Sequence, residues 1–152
     1  MEPKIYRFEQ LSVNLLYDVL RLREQVFMLE QHSLYEDIDN KDKDALHLCV
    51  FEKGQLIGYL RLRLLHDLSK AKIERVVVAA AYRSKKLAKV LMKKALEIID
   101  SEQDIDEALL SAQVDVMGFY EKLGFAARGA EYDDGGIAHK DMVKYTNQKA
   151  AV

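Results

Sequence analysis

The stretch ERVVVAAAYRSKKLAKVLMKKALEIID, residues 74–100, constrains the fold more than any other part of the chain. Three consecutive β-branched residues, Val76, Val77 and Val78, point to a strand with both faces covered. A helix follows directly, with Leu87, Val90, Leu91, Ala95 and Ile98 at 3.6-residue spacing as its buried stripe. A doubly covered strand running into an amphipathic helix requires a layered α/β fold. The charges on this helix are reversed. Arg83, Lys85, Lys86 and Lys89 crowd its start, and Glu97 and Asp100 close it. A helix N-terminus carries partial positive charge, so each cation there is disfavoured by about 0.3–1 kcal/mol. A bound anion would offset that, because free N–H groups and the dipole favour one at this end. The segment lacks the glycine pattern of a Walker loop or a dinucleotide fingerprint.

The rest of the chain builds outward from this unit. Residues 4–8, KIYRF, form a short strand, and Ser12 caps a helix with apolar positions Val13, Leu16, Tyr17, Leu20 and Phe27. Residues 30–44 read as a solvated acidic loop. The period then changes to 2 in ALHLCVFEKGQLIGYLRLRLL, two strands joined at Lys53-Gly54. Tyr59, Arg61 and Arg63 share one face of the second strand. EALLSAQV is a strand and VMGFYEKL a short helix that stops at Gly124. Two last strands meet through Gly135-Gly136. The expectation is α/β: a mixed, largely antiparallel sheet flanked by helices, in the order β-α-β-β-β-α-β-α-β-β. With 152 residues and one proline, the chain should form a single domain over 1–152, its polar end from Thr146 frayed.

Net charge is −2, so a polyanion site must be a local patch. No apolar run approaches the ~20 residues of a membrane span. The start, MEPKIYRFEQ, lacks the features of a signal peptide. Cys49 is the sole cysteine, so no internal disulfide forms and a cytoplasmic location is expected. Cys49 and His47 share a strand face, but a lone strand cysteine reads as a buried hydrophobe. The four histidines show no zinc-type pairing, and DIDNKDKDALHL from Asp37 breaks the calcium-loop pattern at Lys41, Asp42 and Leu48, so no metal is expected.

Two motifs then converge. Arg83-Ser84-Lys85-Lys86-Leu87-Ala88 lies where a strand enters a helix, and QVDVMGFYEKLGF runs from Gln113 to Phe125. Together they resemble the GNAT acetyltransferase superfamily. Its signature [QR]-x-x-G-x-[GA] falls on residues 83–88, with Lys86 in place of the middle glycine. Its F-Y-x-x-x-G-F falls on Phe119, Tyr120, Gly124 and Phe125. VFMLEQHSLYEDIDNKD and DGGIAHKDM are similar to the ElaA-like branch of N-acetyltransferases.

The resemblance implies acetyl transfer from acetyl-CoA, as co-substrate, to a primary amine by direct attack, with no acyl-enzyme. It places the coenzyme on Val76, Val77, Val78, Arg83, Ser84, Lys85, Lys86, Leu87, Ala88, Gln113, Phe119 and Tyr120. Tyr120 would protonate the departing thiolate, and Glu74, expected on the same strand face as Val76 and Val78, would be the base. An alternative for Glu74 is a carboxylate paired with Arg61 or Arg63. Gln31, Tyr35, Asp37 and Asp39 lie in the segment that the family uses for its acceptor. That acceptor is a small-molecule or peptide amine (a protein N-terminus, a lysine, a polyamine or an antibiotic), with no nucleic-acid or membrane partner. Two other readings share these residues: a non-enzymatic module binding CoA or nucleic acid through the basic helix, and acyl transfer from an acidic carrier protein.

Overall fold

The computed structural model describes residues 1–146, and for Ser84 and Lys85 the backbone alone. Seven strands form one sheet in the order β1-β2-β3-β4-β5-β7-β6. They are β1 (Lys4–Arg7), β2 (Leu46–Glu52), β3 (Gln55–Leu65), β4 (Lys70–Val78), β5 (Glu107–Gln113), β6 (Ala126–Asp134) and β7 (Ile137–Tyr145). Helix α1 (Val13–Arg23) packs on one face, and α2 (Leu87–Asp100) and the short α3 (Met117–Glu121) pack on the other. The element order is the expected one. Both hairpin turns, Lys53-Gly54 and Gly135-Gly136, have positive φ at both residues, the mirror-image turn that matches strand twist. Thr146, expected in the frayed tail, is instead buried, with its N–H donating to the Asp106 carbonyl at 2.9 Å. The remainder of that tail lies outside the described residues.

Helix α1 starts as expected, with Ser12 Oγ accepting from the Leu15 N–H at 3.0 Å. Its buried stripe is a different one. Val13 and Tyr17 are 85% and 70% exposed, and Val19, Leu22, Arg23 and Val26 face the sheet. An arginine in the middle of the stripe turns the apparent apolar face away from the true one. Beyond Arg23 the helix widens over Glu24–Glu30 into π-type turns, and the Gln31 N–H reaches the Val26 carbonyl, five residues back, at 3.0 Å. Such widenings are frequent at functional sites. In α2 the buried set is Leu87, Leu91, Met92, Ala95 and Ile99.

Two irregularities in β4 shape the molecule's centre. Against β3, Glu74 pairs with Arg61 and Val77 with Tyr59, so Arg75 and Val76 oppose the single residue Leu60. This is a β-bulge, with Arg75 at φ 58°. One extra residue inverts which side chains face which layer. Ala71 and Ile73 lie in the α2-side core, and beyond the bulge Val76 and Val78 do too, while Val77 joins Cys49 and Tyr59 beneath α1. The second irregularity is on the other edge. β4 and β5 form the one parallel pair among the described residues, and it spans only Lys70↔Glu107 to Lys72↔Leu109. Past that point the strands diverge and open a cleft through the sheet.

Candidate active site

A cavity of about 830 Å³ occupies the cleft and is lined from both faces of the sheet. On the α2 side it meets Val76, Val78, Lys86, Ala88, Phe119 and Tyr120, and on the α1 side Phe27, Gln31, Tyr35, Glu74 and His139. The Ala79 N–H donates to the Ile57 carbonyl on the β3 side at 2.8 Å. Strand alternation therefore turns the polar groups of Val78 and Val76 toward the cleft. The Val78 carbonyl bears this out by accepting from Arg83 Nε at 3.2 Å.

The dipole at the start of α2 favours negative charge. Its first turn has no acidic residue, and the side chain at its N-cap makes no capping bond. Lys86 sits at its N-cap with φ 60° and ψ 28°, the left-handed conformation natural to glycine. That is why the signature has glycine here, and the lysine adopts the same backbone. Leu87 is buried, so only its backbone can meet a ligand, whereas Ala88 and Lys89 line the cavity. Arg83 is engaged: its two terminal nitrogens grip the Glu30 carboxylate, Nη2 to Oε1 at 2.9 Å. The side chains of Ser84 and Lys85 lie outside the described residues.

Tyr120 packs edge-on against Phe119 and Phe125, with ring centroids 5.0 and 6.2 Å away. Burial pushes its hydroxyl up to about 12, and no described residue is hydrogen-bonded to it. The phenol thus keeps its proton and faces the cavity. Gln113, at the end of β5, donates to Gln31 Oε1 at 2.9 Å, closing a bridge from the α1 layer across the cleft. Tyr35 lines the α1 side, with the Arg75 guanidinium 4.8 Å from its ring centroid, and burial raises its hydroxyl to about 12.

Three expectations need correction. Glu74 does not share a face with Val76 and Val78, because the bulge lies between them. Its carboxylate is tied to both candidate partners, Arg61 (Nε 3.1 Å, Nη2 3.0 Å) and Arg63 (3.5 Å). Residues 30–44 are not a solvated acidic loop. Asp37 and Asp42 are buried, and they bind the fully buried Arg23 at 3.0 and 2.8 Å. Asp37 and Asp39 do not line the cavity as acceptor groups. Both oxygens of Asp37 are taken by Arg23 and Arg75, and both of Asp39 by Arg61, with Arg75 adding a contact. Burial alone would raise Asp39, but hydrogen bonds from Arg61 and the Lys41 N–H, with the Arg61 and Arg75 charges, hold it well below the ordinary carboxylate range. The signal for this network was the pair of arginines at positions whose periodicity is core-facing, Arg23 and Arg61.

Cys49 is fully buried outside the cavity lining, its thiol pushed up to about 12 by burial. His47 beside it is structural: Nε2 donates to the Asp42 carbonyl at 2.9 Å, and Nδ1 accepts from the Tyr59 hydroxyl at 2.6 Å. Away from the cleft, His66, Glu102 and Asp104 bring ligand atoms within 4.8 Å of one another. His66 is hydrogen-bonded to Asp104 there at 2.7 Å. No helix among the described residues is long and apolar enough to cross a membrane.

A strand pair that splays beside a cation-rich helix N-terminus defines a class, and comparison with known proteins agrees on it. A model of the acetyltransferase (GNAT) domain family matches residues 10–146, and the chain belongs to that family. It is 36% identical over 138 residues to protein ElaA of Escherichia coli K12, across 89% of this chain and 90% of ElaA. The crystal structure of E. coli ElaA superimposes with a TM-score of 0.86, at 33% identity over 94% of this chain and 98% of that one. An acyl-CoA N-acyltransferase from Pseudomonas aeruginosa gives the same TM-score at 31% identity, over 95% and 99%. The protein is an acetyltransferase of the GNAT family, closely related to the ElaA-like proteins.

Proposed function

We propose that the enzyme binds acetyl-CoA along the α2 side of the cleft and transfers its acetyl group directly to a primary amine that enters from the α1 side. The observation that carries this reading is the divergence of β4 from β5 after Lys72, which frees strand backbone beside the uncapped start of α2. The pyrophosphate would sit on the α2 N–H groups between Arg83, Lys86 and Lys89. The pantetheine arm would follow the backbone of Val76–Val78, where one N–H polarises the thioester carbonyl. Tyr120 donates a proton to the leaving sulfur. Because both reactants are held across one gap, positioning supplies much of the rate. Direct attack suits the site, since the only cysteine is sealed in the core. The name of the P. aeruginosa relative, an acyl-CoA N-acyltransferase, supports the same chemistry.

Calorimetric titration tests it. Acetyl-CoA should bind and raise the thermal midpoint, as a native-state ligand must. Duplex DNA over a salt series should do neither. A midpoint that responds to DNA and not to acetyl-CoA refutes the reading.

A further inference from the structure

An amine entering from the α1 side needs a proton acceptor on that side. Among the described residues, Glu30, Glu74, Asp134 and His139 bring proton-accepting groups to the cavity lining, and Glu30 is already gripped by Arg83. Both oxygens of Glu74 face guanidinium groups, Oε1 that of Arg61 and Oε2 that of Arg63. His139, on β7, is not so engaged. It pairs in register with Gln113 of β5 and so stands at the mouth of the splay. Its Nδ1 lies 2.7 Å from the Ile137 carbonyl. A carbonyl only accepts, so Nδ1 carries the hydrogen and the neutral ring keeps its lone pair on Nε2. No described residue is hydrogen-bonded to Nε2. The ring is held in place: it stacks on Tyr132 at 6.2 Å and 23° between planes, and the Tyr132 hydroxyl donates to Asp141 at 2.6 Å and is bonded to Ser111. Asp134, at the end of β6, lines the same cavity and adds a carboxylate that favours a cationic visitor.

Resting on the acyl-transfer reading above, we propose that His139 is the catalytic base that takes a proton from the acceptor's ammonium group, and that Glu74 serves to hold Arg61 and Arg63. Nε2 accepts one ammonium proton and releases it to solvent. The nitrogen lone pair forms the C–N bond, and the C–S bond breaks with its electron pair on sulfur. Sulfur takes the Tyr120 proton, and the phenolate recovers the proton that nitrogen sheds on becoming an amide. The acceptor class is thus a primary amine that arrives charged.

The test measures thiol release from acetyl-CoA with spermidine, a lysyl peptide, a peptide α-amine and an aminoglycoside as probes. His139→Ala should lower kcat at least 100-fold, in the range of general-base catalysis, with acetyl-CoA Kd within twofold and the thermal midpoint held. Added imidazole should restore part of the turnover of that variant. It should not restore His139→Gln, which fills the space. Glu74→Gln should lose less than tenfold. A His139→Ala enzyme that keeps a third of its kcat, or whose loss comes with weakened acetyl-CoA binding and no imidazole rescue, overturns the proposal. If the wild-type enzyme binds no acetyl-CoA, or turns over none of the four amines, the acyl-transfer reading itself falls.

Discussion

Replacing Arg61 with methionine tests whether the acidic segment is held by charge. The side chain is fully buried, and its guanidinium contacts Asp39 twice at 2.8 Å, Asp42 at 2.9 Å and Glu74 at 3.0 Å. Methionine fills much of the same space without the donors. Removing one member of a buried ion pair costs about 3–5 kcal/mol. Each stranded carboxylate keeps one arginine, Arg75, Arg23 or Arg63, so the lower end applies, about 3 kcal/mol. At roughly 2–4 °C per kcal/mol for a chain of this size, the midpoint at pH 7 should fall by about 6–12 °C. The pH dependence follows from the sign of the shifts. Asp39 is held low by the hydrogen bonds and charges described above. Asp42, which burial alone would raise, is held low by Arg23 and Arg61. A depressed carboxylate stabilises the fold above its unfolded value, about 3.9, and loses that contribution as pH falls toward its folded value. The gap between wild type and Arg61→Met should be full at pH 6–7 and shrink below about pH 4. Thermal scans by circular dichroism from pH 7 to pH 3 measure both. A drop under 2 °C at pH 7, or a gap that does not narrow in acid, would refute the argument.

Tyr120→Phe should lower kcat about 10²- to 10⁴-fold with little change in acetyl-CoA Kd or midpoint, because the hydroxyl bonds no described residue. Full turnover in steady-state assays would reduce Tyr120 to packing. Glu30→Gln releases Arg83 and removes an anion from the proposed pyrophosphate site, so acetyl-CoA should bind up to about fivefold more tightly by calorimetry, the worth of an exposed pair. Lys86→Gly relieves a left-handed lysine worth about 1–2 kcal/mol, less the roughly 0.5–1 that glycine's freedom costs. The midpoint should rise by up to about 6 °C, and a fall would show that the lysine side chain stabilises the turn.

The element order, both hairpin turns and the cation-rich start of α2 were legible because each rests on local pattern. The valine run, the uncapped basic helix and the Gly124 stop are read over a few residues. What escaped reading depends on contacts distant in sequence. The bulge at Arg75 is set by how β4 meets β3, and nothing in ERVVV marks which residue is extra. With the alternation carried straight through, Glu74 falls on the wrong face. The acidic segment looked solvated because its partners lie at Arg23, Arg61 and Arg75, up to 38 residues away. His139 lies in DGGIAHKDM, a stretch that carries the resemblance but by itself assigns the histidine no role. It gains meaning only once β7 is laid beside β5.

The gap between β4 and β5 has a kinetic consequence under the proposed reaction. A tunnel with one mouth forces its visitors into a queue, and the last to enter blocks the first to leave. Here the lining comes from both layers, so in that reaction coenzyme and amine would enter from opposite sides of the sheet. Neither blocks the other's entry, and each product departs by the way its parent came. Free CoA then competes with acetyl-CoA but not with the amine, and a bulky acceptor never has to pass the nucleotide. Selection among amines is accordingly a matter for the α1-side rim alone, and the acceptor can change there without disturbing the coenzyme's seat.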